Sequence, residues 1–272
     1  MGAGAIASVL TGRPLILEIN GPTYSFLSLK LAKAITAYSS SMVKGSATGK
    51  LVLVDAGVNP TLFKPDEVSR VKLRELYGLQ NSSVIGYVGT FQSWHGVDDL
   101  VRAAAIVLES HPNARFLMVG PNFESTMRLT ESLGVSNAFI FIGPVSYERV
   151  YEYVNAADIL VSPTNPSRAE WTKRAGPPEQ FKVFEYMACR KAVIISASGP
   201  MKRINGDGEN GLLFPTGDTQ ALAAAISRLI EDPALLDSVA NRAHDEVVAR
   251  FTWRRHAQRL YGMMVKATAG ST

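Results

Sequence analysis

Three stretches of this chain hold polar side chains at intervals that could do chemistry. The densest is Phe181-Lys182-Val183-Phe184-Glu185-Tyr186-Met187-Ala188. Phe181, Phe184 and Ala188 recur at i, i+3 and i+7, which places them on one buried helical face. Lys182 and Glu185, three apart, share another face. A proline-rich stretch precedes them, so the first turn of this helix points to where the preceding strand ends. A helix N-terminus there favours anionic groups, and a carboxylate one turn in can accept two hydrogen bonds from a ribose diol. The same spacing also fits an exposed Lys–Glu pair contributing about 0.2–0.5 kcal/mol.

The second stretch is Gly86-Tyr87-Val88-Gly89-Thr90-Phe91-Gln92-Ser93-Trp94-His95-Gly96. A buried strand ends at Val88, Gly89 lets backbone approach a ligand closely, and a helix begins near Val97. Strand, glycine turn and helix N-terminus together can cradle phosphate, although an ordinary βα loop uses glycine in the same way. The third runs from Thr164 to Gln180 and carries Arg168, Trp171, Lys173 and Arg174. Loops this long in compact domains are functional or disordered, and its place after a strand favours function.

Other features carry less. Gly2-Ala3-Gly4-Ala5-Ile6-Ala7 fits the G-x-G-x-x-A form of the dinucleotide fingerprint, but that fingerprint needs a strand in front of it. Cys189, the one cysteine, ends an apolar helix and reads as a small core residue. With a single cysteine, no internal disulfide forms and a reducing compartment follows. His95, His111, His244 and His256 are scattered, so no metal site is expected.

Positioning these residues requires alternating strands and helices. Short β-branched runs at 15–19, 51–54, 84–88, 115–119, 139–142, 159–162 and 192–195 predict strands, with a weaker one at 34–38. Several are apolar on both faces, as covered parallel strands are. Helical patterns fall at 66–77, 96–110, 124–133, 146–156 and 181–190. The alternation predicts an α/β fold, a Rossmann-like doubly wound parallel sheet with helices on both faces. After Thr219 the pattern is purely helical, near 218–231, 233–250 and 252–267. Asp232 and Thr252 stand as N-caps and Pro233 in a first turn. Asp55-Ala56-Gly57-Val58-Asn59-Pro60 reads as a connection between units.

Composition excludes several classes. The 272 residues are 46% apolar and 19% charged, enough for a large core. A formal charge of +4 is too small to point to nucleic acid and suits an anionic ligand. No apolar run reaches the roughly 18–20 residues of a spanning helix. The expected location is cytoplasmic, with a peripheral position at a membrane left open.

Five stretches in order resemble the retaining family-4 glycosyltransferases of the GT-B fold. They are 54–65, Tyr87 to Gly96, Lys182 to Ala188 with Val193-Ile194, Asp207 to Pro215 (DGENGLLFP), and Phe251-Thr252-Trp253. The resemblance implies two facing Rossmann-like lobes, of which the C-terminal one binds a nucleoside-diphosphate sugar as donor substrate, without metal or other cofactor. By position, Glu185 would bind the ribose hydroxyls and Gly89 and Thr90 would line the phosphate site. Backbone around Gly143-Pro144-Val145 would meet the base. The family's usual arginine and lysine in the diphosphate loop are replaced by Thr90 and His95, so His95 and Lys182 are expected to take over phosphate charge. The first of the family's paired glutamates falls at Pro177, with Glu179 out of register.

Residues 1–60 then correspond to a partial acceptor-side lobe with its linker, 61–250 to the donor lobe, and 251–272 to a returning helix. So short a first lobe implies a truncated or split transferase, open to a missing N-terminal partner or to self-association. The acceptor would be a glycan, lipid or small molecule bearing a hydroxyl. The alternatives are a non-catalytic nucleotide-sugar-binding module or the subunit of a split enzyme, and an unrelated NAD-binding Rossmann enzyme, against which the misplaced fingerprint argues.

Overall fold

The computed structural model describes residues 3–21, 25–43, 45–170, 172, 180–199, 201–205 and 209–269. Two parallel sheets organise them. The smaller holds β1 (Leu15–Ile19), β2 (Ala32–Ala37) and β3 (Leu51–Leu53) in that spatial order. Two helices that hydrophobic periodicity did not reveal belong to it. The first, α1 (Ala3–Thr11), is built from small residues, and at Gly4 an added Cβ would already touch the Leu15 side chain at 3.4 Å. It holds most of the glycine-alanine stretch in a helix with no strand before it among the described residues, so the fingerprint geometry is missing. The second, α2 (Phe26–Leu31), starts at Ser25, whose hydroxyl accepts from the Ser28 amide.

The larger sheet contains β4 (Ser83–Val88), β5 (Ala114–Val119), β6 (Phe139–Ile142), β7 (Ile159–Ser162), β8 (Ala192–Ser196) and β9 (Leu212–Phe214). All pair in parallel, in the order β6-β5-β4-β7-β8-β9. Every residue of β7 and β8 is buried, as strands covered on both faces must be. Sequence reading placed these strands within a residue or so but overlooked β9, whose three residues are too few for a pattern.

The intervening helices are α3 (Glu67–Leu76), α4 (Val97–Ser110), α5 (Glu124–Ser132), α6 (Val150–Ala156), α7 (Phe181–Ala188) and α8 (Met201–Ile204). They are followed by α9 (Thr219–Glu231), α10 (Pro233–Arg250) and α11 (Trp253–Ala269). On one face, Leu100 and Val101 of α4 and Leu222 and Ile226 of α9 join one buried cluster. On the other, Leu73 of α3, Tyr153 and Val154 of α6 and Phe184 of α7 join a second. The expected caps form: Asp232 accepts from the Leu235 amide, and Thr252 from the Arg255 amide.

The connection between the sheets is buried at Val54, Asp55, Ala56 and Val58. The start of α11 clasps it. Val58 donates to the Phe251 carbonyl, Trp253 donates back to Val58, and a Cβ on Gly57 would lie 2.3 Å from the Trp253 nitrogen. His256 then reaches the Asp55 carbonyl at 2.8 Å and the Glu18 carboxylate at 3.0 Å, tying α11 to the smaller sheet.

Opposite the strands' carboxyl ends, Asp158 accepts from Arg70, Arg74 and the Val84 amide, joining α3 to the first residues of β4 and β7. Burial alone would raise its pKa, but the Val84 amide and the two guanidiniums outweigh it and hold the carboxyl below its ordinary range. Asp158→Ala leaves the buried Arg74 without its carboxylate. The expected loss is about 2–3 kcal/mol, somewhat less than for a fully enclosed pair. Because the folded-state pKa is depressed, this contribution is present above about pH 4 and vanishes as pH falls through the folded value. Urea titrations of both proteins at pH 7 and pH 3 should show the difference shrinking with acid.

Candidate functional site

The larger sheet starts in its middle. From β4 the chain winds outward through β5 and β6, then returns to the other side of β4 for β7, β8 and β9. The order reverses between β4 and β7, and in such sheets ligands bind outside the strands' carboxyl ends at that reversal. The loops leaving β4 and β7 meet there. The Asn165 amide donates to the Trp94 carbonyl at 2.8 Å, and a Cβ on Gly96 (φ 68°) would sit 2.0 Å from the Pro163 carbonyl oxygen. Buried Asp99, in the first turn of α4, accepts from Arg168 and Asn165 and so holds the second loop against the first.

Gly89 follows β4 at φ 149°, a conformation other residues rarely adopt. An added Cβ would lie 2.8 Å from Lys182 Nζ and 3.1 Å from the Tyr87 hydroxyl. Lys182 donates to that hydroxyl at 3.0 Å, with its ammonium 4.4 Å from the ring centroid, and Tyr87 donates onward to the Thr90 carbonyl at 2.6 Å. Tyr186 bonds both backbone groups of Val88 and so fixes the end of β4 from α7. The structure therefore brings Gly89, Thr90 and Lys182 together. Among the described residues no carboxylate pairs with Lys182, and burial pulls its pKa from the ordinary 10.5 to about 7, against the pull of nearby Glu185.

His95 stands in the same loop, its ring 3.7 Å from that of Trp94. Its Nδ1 is buried without a hydrogen-bond partner among the described residues. Burial, then the Lys182 charge, lowers its pKa to about 3. At neutral pH the ring is uncharged, so it offers hydrogen bonds and not the positive charge expected from its position.

Glu185 is partly buried one turn into α7 and accepts from the Tyr147 hydroxyl at 3.0 Å. Burial lifts its pKa to about 7, opposed by that hydrogen bond and by Lys182. Lys182 and Glu185 each bond a tyrosine, which disposes of the exposed ion pair that spacing allowed. Phe181 corrects another expectation. It is 46% exposed, while Phe184 and Ala188 are buried beside Val183 and Met187. Phe181 instead meets Tyr38, just past β2, edge-on at 5.4 Å, so it spans the two sheets.

Gly143 and Val145 lie in the loop after β6, at the sheet's edge, with Val145 packed on the core. Tyr147 follows directly and carries that loop to Glu185. Two contributors were missed from sequence. Tyr147 looked like an ordinary helix-start residue. Gln180 is buried between the ends of β7 and β8, with Ser162 donating to its oxygen and its amide donating to Ser198, which fixes where α7 begins. Trp171, Lys173, Arg174, Pro177 and Glu179 lie outside the described residues. Cys189 is buried and its thiol pushed up to about 12, in keeping with a core role.

This geometry can now be set beside known proteins. The sequence profile described as glycosyl transferases group 1 matches residues 70–246. The chain belongs to the group 1 glycosyl transferases. A D-inositol 3-phosphate glycosyltransferase of Acidothermus cellulolyticus is 30% identical over 239 residues, which cover 83% of this chain and 50% of that protein. A GDP-mannose-dependent alpha-(1-6)-phosphatidylinositol monomannoside mannosyltransferase of Mycolicibacterium smegmatis is 25% identical, covering 75% of this chain and 53% of its own. The chain thus spans about half the length of the curated relatives it matches.

Among solved structures, Anabaena HepE in complex with UDP superposes with a TM-score of 0.82 at 22% identity, over 97% of this chain and 75% of HepE. The C-terminal domain of a group 1 glycosyl transferase (LpcC) from Francisella tularensis superposes at 0.61 and 23% identity, over 72% of this chain and 99% of that domain. As a group 1 glycosyl transferase the chain therefore has the GT-B type of α/β fold, with one lobe only partly represented.

In this group 1 glycosyl transferase, Lys182 and Glu185 act oppositely on stability. Lys182 has a depressed folded pKa, so stability rises as pH climbs from about 7 to about 10.5. Glu185 has a raised folded pKa, so stability falls as pH climbs from about 4.5 to about 7. Two other buried bases act in the same range: His95, lowered to about 3, adds a rise from about pH 3 to 6.5 that offsets the Glu185 fall, and Lys191, lowered to about 8 by burial, adds to the alkaline rise. Lys182→Met should diminish the alkaline rise, leaving the part due to Lys191, and stabilise the unliganded protein at pH 7 by about 1–3 kcal/mol, the usual scale for relieving a poorly paired buried polar group. Glu185→Gln should remove the Glu185 fall and leave the opposing His95 rise on the acid side. Denaturant midpoints from pH 4.5 to 10 measure both.

Proposed function

We propose that the larger lobe binds a nucleoside-diphosphate sugar at the reversal between β4 and β7, and that the protein transfers the sugar to an acceptor hydroxyl with retention. The observation that carries this reading is the Lys182 ammonium, partly buried beside Gly89 with a phenol and, among the described residues, no carboxylate for partner. A cation kept at such cost is matched by an anion that arrives with the ligand, and the diphosphate is one. Gly89 and Thr90 would flank the phosphates, Glu185 would accept from the ribose, and backbone at Gly143 and Val145 would meet the base. His95, uncharged, would add a hydrogen bond to a phosphate or sugar oxygen. Departure of the diphosphate develops charge that Lys182 and the N-termini of α4 and α7 are placed to stabilise, so no step needs a metal or other cofactor. The UDP in the HepE complex and the GDP-mannose in the name of one relative support a nucleoside diphosphate as the common element.

A thermal-shift panel of UDP, GDP, ADP and NAD tests the reading. The matching nucleoside diphosphate should stabilise the chain by about 2.7 kcal/mol at a hundred times its Kd. NAD should do nothing, and no shift with any diphosphate would overturn the proposal. Glu185→Ala should weaken binding by about 1.5–3 kcal/mol, the worth of hydrogen bonds to an ionised acceptor, without unfolding the lobe.

The smaller sheet is the acceptor side in this reading. Holding donor and acceptor in reacting geometry can account for about 7–11 kcal/mol of a barrier, and three strands present little surface on which to hold an acceptor. Acceptor-dependent turnover by these 272 residues alone should fall well below about 1 per second, an ordinary enzyme rate. Nucleoside-diphosphate release measured with and without acceptor checks it, and turnover at that rate would show the small sheet to be sufficient.

A further inference from the structure

The geometry points to Tyr147 as the residue that sets ribose recognition, by holding one oxygen of Glu185 so that the other is left for the sugar hydroxyls of the nucleoside. This inference rests on the proposed nucleotide site and adds to it a specificity-determining residue.

The Tyr147 hydroxyl donates to Glu185 Oε1 at 3.0 Å. Among the described residues no donor meets Oε2. An ionised carboxylate offers about four lone-pair positions on its two oxygens. Tyr147 uses one, and its hold fixes the plane of the carboxyl group. A freely rotating carboxylate would lose that rotamer freedom only when ligand bound, and part of each hydrogen bond's worth would go to ordering it. Glu185 enters the bound state already oriented.

The tyrosine is itself held. Its ring packs on Phe63 at 5.5 Å between centroids, tilted by 60°, and Phe63 is fully buried. Phe63 belongs to the segment joining the two sheets, so the ring has a rigid backstop. Tyr147 nonetheless remains 51% exposed. It comes two residues after Val145, in the loop that follows β6. One side chain thus ties the loop assigned to the base to the carboxylate assigned to the ribose.

Charge supports the arrangement. Burial raises the Glu185 pKa, and the hydrogen bond from Tyr147 works against that rise. Desolvation and the neighbouring carboxylate raise the tyrosine's pKa, so it stays a donor at any ordinary pH. Removing the hydroxyl therefore both frees the carboxyl group to rotate and favours its protonated form, which accepts less strongly.

Tyr147→Phe keeps the ring and its packing on Phe63 while deleting the hydroxyl. The measurement is the Kd of the best-binding nucleoside diphosphate, of its 2′-deoxy and 3′-deoxy forms, and of inorganic diphosphate, for the wild-type chain and the variant. The wild type should prefer the ribonucleotide over a deoxy form by about tenfold or more, the worth of one hydrogen bond to a charged group. In Tyr147→Phe that preference should shrink toward unity, with inorganic diphosphate binding unchanged. If no nucleoside diphosphate binds the wild type, the proposed site itself is wrong. If the wild type discriminates ribose and Tyr147→Phe keeps the same ratio, Tyr147 is packing only and the inference falls. It falls equally if the variant weakens every ligand alike, inorganic diphosphate included, or if the wild type binds ribo and deoxy forms equally.

Discussion

Strand β4 opens the larger sheet at its centre, and the chain must therefore wind away from it in both directions. Loops leaving β4 and its neighbour β7 cannot cover each other in the ordinary way, because their helices depart to opposite faces. The crevice that results is a consequence of order alone. What the sequence adds is the closeness with which its walls approach. Gly96 lets the β4 loop touch the Pro163 carbonyl, and Gly120 lets the β5 loop come so near Gly89 that a Cβ would fall 2.0 Å from its carbonyl oxygen. Each of these glycines stands where a side chain would push two strand ends apart.

The crevice is furnished at a cost to folding. Lys182 and Glu185 are drawn from their ordinary pKa values in opposite directions, each by burial, and they do not neutralise one another directly. A direct bridge between them would relieve both. Their separate tyrosine partners keep the ammonium turned toward Gly89 and the carboxylate turned toward Tyr147. Groups arranged to suit a ligand more than each other are what a binding site requires, and shifts of this kind cluster at functional positions for that reason. Elsewhere charge is handled conservatively: Asp158 has two guanidiniums and an amide, and Asp99 has Arg168 and Asn165.

Much of the larger lobe was legible because its strands are short, apolar and separated by helices of ordinary period. Residues 159–162 read as a strand from side-chain type alone, and Asp232-Pro233 announced a helix start. The misses have physical causes. Helix α1 buries only alanine among its residues while Ile6, Val9 and Leu10 face outward, so no amphipathic stripe announces it. Strand β9, three residues long, is too short to show an alternation. Phe181 obeyed the helical spacing of a core residue, but at the first position of α7 it projects past the core toward Tyr38. Of the candidate site, Lys182, Glu185 and the Gly89 loop followed from motif position. Tyr147 and Gln180 did not, because each acts through a partner at least 18 residues away and nothing local marks it.

The Phe181–Tyr38 contact shows how the two sheets bear on the crevice. Helix α7 carries Lys182 and Glu185 at its second and fifth positions, and its first residue leans on the end of β2. Helix α11 grips the connecting segment through Gly57 and Val58 and reaches Glu18 of β1 through His256. Both contacts fasten the smaller sheet to the rest of the molecule. Phe63, against which Tyr147 rests, belongs to that same connecting segment and is fully buried. Any shift of the smaller sheet relative to the larger must therefore strain either the Phe181 contact or the backbone clasp at Gly57, where there is no room for even one extra carbon. The orientation of Glu185 is in this way coupled, through Tyr147 and Phe63, to the segment that sets how the two sheets face each other.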